Sequence, residues 1–244
     1  MEYTYLLVNF FTILVPFLFS FHPKLRFDKT WGAFFPAVFF TGLLFVLWDM
    51  WFTSMGVWGF NERYLTGINI GNLPLEEVLF FFCIPYACVF TFHCLDLLLR
   101  KKVGQKGQMN TTLFFASILL IIGVLNLDKY YTASTFLSLG ILLLISEFLF
   151  KIPWLKRFYI VYAVLLIPFF IVNGVLTGTG IEEEVVWYNS EEFMGIRLLT
   201  IPVEDIFYGM ELILLNLLIY RFLLSRRKVP SLQHRNSRVS QNIL

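Results

Sequence analysis

Apolar runs about twenty residues long alternate with short polar segments along almost the whole of this 244-residue chain. A hydrocarbon core about 30 Å thick is crossed by roughly 20 apolar residues in a helix. Seven runs reach or approach that length: Tyr3 to Phe21, Gly32 to Trp51, Leu75 to Leu99, Thr111 to Leu127, Thr132 to Phe150, Phe158 to Leu176, and Thr200 to Leu224. The pattern predicts an all-α polytopic membrane protein with seven transmembrane helices. Only Asp128 to Tyr131 divide the fourth run from the fifth, so a tight turn is expected there. Composition agrees: 58% of residues are hydrophobic and 15% charged, against roughly 45–50% and about 25% in a soluble domain. The N-terminus has no basic region and no small-residue cleavage site, so the first run is expected to be a retained span.

The placement of charge gives direction. Of the 19 lysines and arginines, 16 fall in the first, third and fifth connections or at the C-terminal end. Arg63, Lys129 and Arg197 occupy the other side. The positive-inside bias then places the N-terminus outside and the C-terminus in the cytoplasm, which requires an odd number of spans. Residues 225–244 form a polar, basic segment, expected to be a disordered cytoplasmic tail.

The second and sixth connections are long and polar, and they resemble one another. Val57 to Phe80 (VWGFNERYLTGINIGNLPLEEVLF) aligns without gaps on Val185 to Tyr208 (VVWYNSEEFMGIRLLTIPVEDIFY), with six of 24 positions identical. Pro74/Pro202 and Glu76/Glu204 are among the identities, and Glu77/Asp205 is conservative. The offset that sets Val57 on Val185 spans four helices, so the two copies keep one orientation, as in parallel repeats about an axis along the membrane normal. Residues 1–107 form a first three-helix repeat, 108–131 a linker containing helix four, and 132–224 a second three-helix repeat.

Each copy carries a proline and two acids at the start of a helix. A proline and carboxyls in a first turn suit any helix start. Two copies in register among Phe, Leu and Ile point further, because ionisable groups inside a membrane are expensive. Tyr208 and Glu211 follow Glu204 on the same helix face, and Cys83 stands where the second copy has Glu211. Asp49 and Asn173 are candidates for support of the acids. Asp96 and Glu147 sit near helix ends beside Arg100 and Lys151 and read as interfacial ion partners, so Asp96→Asn is expected to be nearly silent. Carboxyls held in oily, water-poor surroundings suit proton donation, including protonation of a carbon–carbon double bond. Aromatic faces can then steady the resulting cation.

Other chemistry finds little footing. Cys83, Cys88 and Cys94 lie in one apolar stretch without a CxxC pair, so no metal site is expected. Neither a GxGxxG nor a Walker sequence occurs, and no cofactor or nucleic-acid partner is expected.

The chain resembles the small integral-membrane lycopene cyclases, which occur as two subunits or as a fused chain; here both halves stand in tandem. The resemblance covers nearly the whole chain. It rests on NLPLEEVLFF around Glu76 and Glu77, on IPVEDIFYGME around Glu204 and Asp205, on VNGVLTG from Val172, and on Trp48-Asp49. It implies a redox-neutral cyclisation of lycopene, drawn from the bilayer, through γ-carotene to β-carotene. It assigns acid and base roles to Glu76, Glu77, Glu204 and Asp205, without settling which group donates and which accepts. Tyr208, Glu211, Asp49 and Asn173 would contact substrate. The protein would be a multi-pass component of the cell membrane; homo-oligomers and contacts with other carotenoid enzymes stay open. Rival readings are a cyclase for a C50 or ε-ring product and a proton-coupled transporter. A prenyltransferase lacks its D-x-x-x-D motif here, and a retinal protein lacks a lysine in mid-membrane.

Overall fold

The computed structural model describes residues 3–240, with burial and side-chain contacts through residue 227. Seven helices dominate: α1 Thr4–Ser20, α2 Trp31–Met55, α3 Leu75–Leu99, α4 Gln108–Leu125, α5 Tyr130–Leu144, α6 Leu155–Leu176 and α7 Val203–Ser240. A π-helical turn, Ile145–Leu149, extends α5. Six of these helices are long and apolar enough to cross a membrane, and α1 is a shorter apolar helix. The chain is a multi-pass membrane protein. With 17 residues, α1 spans about 26 Å at 1.5 Å per residue. The apolar span Val203–Arg227 lies within α7. The tail expected from Ser225 overlaps the end of this helix. Residues 241–244 of that tail lie outside the described residues.

The arrangement is built around α3 and α7, which touch one another; α2 packs against both. Helix α6 lies on α3 but makes little contact with α7, α1 packs on α3, and α5 on α7, with α4 outside α5. Between helices in lipid the hydrophobic effect contributes little, so close packing and interhelical hydrogen bonds must hold the bundle. At one end Phe27 meets Tyr86 and Phe90 edge to face, at 5.7 and 5.6 Å between centroids.

Near the same end, the Asp96 carboxylate binds two guanidinium groups, Arg157 Nε at 2.5 Å and Arg221 Nη2. The Arg221 group also lies 4.9 Å from the Trp154 ring centroid. The expected pairing with Arg100 is therefore incorrect. Asp96 is buried and faces α6 and α7, because its position on α3 points into the bundle rather than along the helix end. Glu147 likewise accepts hydrogen bonds from Gln108 Nε2 at 2.9 Å and Thr112 at 3.3 Å rather than pairing with Lys151.

The two long connections are not wholly irregular. They contain three small antiparallel pairs: β1 (Trp58–Phe60) with β4 (Val186–Tyr188), β2 (Asn69–Ile70) with β3 (Leu73–Pro74), and β5 (Arg197–Leu198) with β6 (Ile201–Pro202). Backbone groups folded back over an apolar bundle must find partners, which a purely helical reading leaves unaddressed. The second and third pairs are the same structure at equivalent positions of the two copies. So are the turns entering them, where Gly67 and Gly195 have φ of 79° and 77°, a conformation that glycine adopts without steric penalty. The first pair joins the copies to each other: Gly59 pairs with Trp187, its own equivalent, and Trp58 and Phe60 pair with Tyr188 and Val186.

Candidate active site

The prolines of the two motifs stand just ahead of their helices. Pro74 and Pro202 end β3 and β6, which leaves Glu76, Glu77, Glu204 and Asp205 in the first turns of α3 and α7. Successive residues on a helix are about 100° apart, so the two acids of each pair face different neighbours.

Glu76 and Glu204 turn back toward their own connections. Oε1 of Glu76 accepts the Thr66 N–H at 2.6 Å, and Oε1 of Glu204 accepts the Met194 N–H at 2.9 Å, ten residues upstream in both copies. Glu204 also accepts the Thr132 hydroxyl at 2.7 Å. Both side chains are fully buried. Each acid thus ties a loop to a helix start, where carboxyl groups suit the exposed N–H groups.

Glu77 and Asp205 point the other way, into one small cavity between the halves. The Tyr5 hydroxyl donates to Glu77 at 2.5 Å. Asp205 accepts from Tyr131 at 2.5 Å and from Tyr188 at 2.9 Å. Desolvation, reinforced by the Asp205 carboxyl, pushes the Tyr188 phenol well above its ordinary pKa, so it stays a donor. Asp49 is a third carboxyl on the cavity wall. Its Oδ1 accepts the Trp58 indole N–H, while the buried Oδ2 has no hydrogen-bond partner among the described residues. Among the described residues no lysine, arginine or histidine lines the cavity.

Both halves supply the walls at equivalent positions. The cavity is lined by Glu77 and Asp205, by Asp49 and Thr177, by Trp58 and Val186, by Phe60 and Tyr188, and by Phe80 and Tyr208; every one of these pairs keeps the offset that aligns the two acid motifs. The Tyr131 and Tyr188 rings stack at 5.9 Å, and Tyr208 presents its edge or face to Trp48, Trp58 and Tyr131 at 5.4 to 6.1 Å. The Tyr208 hydroxyl is buried without a partner among the described residues.

Of the residues singled out in the sequence, Glu77, Asp205, Asp49, Tyr208 and Asn173 line this cavity, whereas Glu76, Glu204 and Glu211 do not. Glu211 is buried against α5, where it accepts the Ser138 hydroxyl at 2.7 Å. The sequence pattern misses Tyr5, Tyr131, Trp58 and Tyr188. The repeat contains Trp58 and Tyr188 but aligns each with a residue of different chemistry. Tyr5 and Tyr131 act in corresponding helices at registers two residues apart, outside the aligned segment.

A family model described as lycopene cyclase matches residues 2–95 and 128–223, most of the chain in two copies. No curated protein and no solved structure matches the chain.

Proposed function

The chain belongs to the lycopene cyclase family, and from that premise we propose that it closes a β-type ring at each end of lycopene, giving γ-carotene and then β-carotene. The cage of Glu77, Asp205 and Asp49 carries this reading. Three carboxyl groups with no cationic side chain on the same wall favour a shared proton, because like charges repel strongly away from water. One of them protonates the terminal double bond of the linear end group. The cation is attacked by the next ring-forming double bond, and a six-membered ring closes. Loss of a ring proton to a carboxylate restores neutrality. One proton enters and one leaves, so the step is an isomerisation and needs no oxidant or reductant.

The remaining walls suit the intermediate. The rings of Trp58, Tyr131, Tyr188 and Tyr208 offer π faces or edges around the acids, and a cation over an aromatic face gains about 0.5–2 kcal/mol. Tyr5, Tyr131 and Tyr188 orient the acids. Glu76 and Glu204 act as braces that hold the loops over the cage. Equivalent positions lining one cavity, and the self-pairing of Gly59 with Trp187, support two parallel halves about an axis along the membrane normal. With α1 as a seventh span, the positive-inside bias puts the N-terminus and the cage outside and the basic connections in the cytoplasm. The membrane is the cell membrane.

Expression of this chain alone in lycopene-producing cells tests the proposal by pigment chromatography and absorbance. β-Carotene is the expected product. Unchanged lycopene with the protein present in the membrane would overturn it. Rings of ε type, or conversion confined to a longer polyene, would overturn the stated product while keeping the acid chemistry.

A further inference from the structure

A larger cavity, about 590 Å³, lies beside the cage between α1, α3, α6 and α7. Four residues line both spaces: Ile84, Phe169, Asn173 and Gly209. The groove adjoins the cage at that junction, with these four residues as a shared wall.

Its walls present carbon. Four of the polar side chains that reach it turn their donors back onto helix carbonyls: Thr12 to Val8 at 2.8 Å, Thr91 to Ala87 at 2.8 Å, Asn173 to Phe169 at 3.4 Å, and Tyr162 to Ile206 at 2.5 Å. Such back-bonding leaves little to recognise a polar ligand. Outer residues such as Leu7 and Ile171 are exposed where lipid would lie.

At the junction the two halves differ. In the first half Phe45 and Phe81 pack together, with centroids 6.1 Å apart, and both are buried. Their equivalents in the second half are Asn173 and Gly209. Two phenyl rings are replaced by an amide and a hydrogen atom, at the place where α6 stands away from α7. Little room is spare at Gly209 itself: a Cβ there would lie 3.2 Å from the Tyr162 hydroxyl and 3.7 Å from the Phe169 ring.

We infer that the groove between α1 and α6 binds the chain of a linear hydrocarbon polyene taken from the bilayer, and that Gly209, a gap in the packing where the first half has Phe81, is the specificity-determining residue that admits its end to the acids. This rests on the cyclase reading above. The substrate lies with its chain in the groove and one end in the cage.

Two variants test the inference, each made in the full chain and in an Asp205→Asn background, where lycopene carried by the purified protein reports binding without conversion. Gly209→Phe restores the residue of the first half, and cyclisation is expected to fall by about tenfold or more while bound lycopene persists. Because a phenyl group there also presses on Tyr162, Ala87→Phe is the second variant. It adds a ring to the groove wall at a residue that does not line the cage, and should lower both bound lycopene and cyclisation by about tenfold. Folded Ala87→Phe protein with wild-type binding and cyclisation would overturn the groove. Wild-type cyclisation in folded Gly209→Phe protein would overturn the gap. If the unaltered chain carries lycopene, loses it on Ala87→Phe, yet closes no ring, the groove stands and the cyclase reading fails.

Discussion

Asp205→Asn is expected to stop ring closure while leaving the protein folded. The amide is nearly the same size as the carboxyl. Its oxygen still accepts the Tyr131 hydroxyl, and its N–H group can donate to the oxygen of Tyr188, so the hydrogen bonds around α7 survive. What is lost is a group that can give or take a proton. Removal of a positioned acid or base commonly lowers a rate by about 10²–10⁴-fold. Glu77→Gln should fall in the same range, since Glu77 occupies the equivalent place opposite. Glu204→Gln is the instructive contrast. A glutamine oxygen can keep accepting the Met194 N–H and the Thr132 hydroxyl, so this variant should stay within about threefold of wild type per folded molecule. Product ratios by chromatography, normalised to folded protein, decide the matter. A dead but folded Glu204→Gln variant beside active Asp205→Asn and Glu77→Gln variants would move the acid chemistry from one pair to the other.

The second large effect concerns stability. Asp96→Asn should destabilise the bundle by about 3–5 kcal/mol, because removing one member of a buried charge cluster strands the others. Here two guanidinium groups, from α6 and α7, would lose their shared carboxylate. Thermal denaturation in detergent should show a lower midpoint for Asp96→Asn. Replacing Asp96, Arg157 and Arg221 together by apolar residues should recover much of the loss, as buried ion clusters often give way to packed hydrocarbon without penalty. A melting curve for Asp96→Asn equal to that of wild type would show that solvent or lipid head groups satisfy the arginines.

The helices were legible in the sequence because lipid demands long apolar runs and every backbone group paired. The acids were legible because charge is rare in such runs. The division of labour within each acid pair was not. Glu76 and Glu77 are adjacent in a motif, and only the turn of the helix separates the residue that braces a loop from the one that faces the cavity. Asp96 escapes the sequence for a related reason: proximity to Arg100 suggests a partner, whereas helix geometry directs the side chain inward to α6 and α7. Tyr5 and Tyr131 carry no local signal at all. They reach Glu77 and Asp205 across more than seventy residues of chain, from apolar helices in which tyrosine is unremarkable. Gly209 and Phe81 differ in the two motifs, but the meaning of that difference requires Phe45 on α2 and Asn173 on α6 to be seen beside them.

On the proposed route of entry, the contrast between Phe81 and Gly209 would also set the order in which a symmetric molecule is handled. An end group that arrives by way of α1 and α6 occupies the cage alone, while the rest of the polyene trails back toward the lipid. The untouched end lies a full molecular length away, so it cannot be served by the same docking. The half-finished product must slide out, tumble in the bilayer and return reversed, in competition with fresh substrate. Turnover is then distributive: when lycopene is abundant relative to protein, singly ringed molecules accumulate first, and the doubly ringed product dominates only as the linear pool is drained.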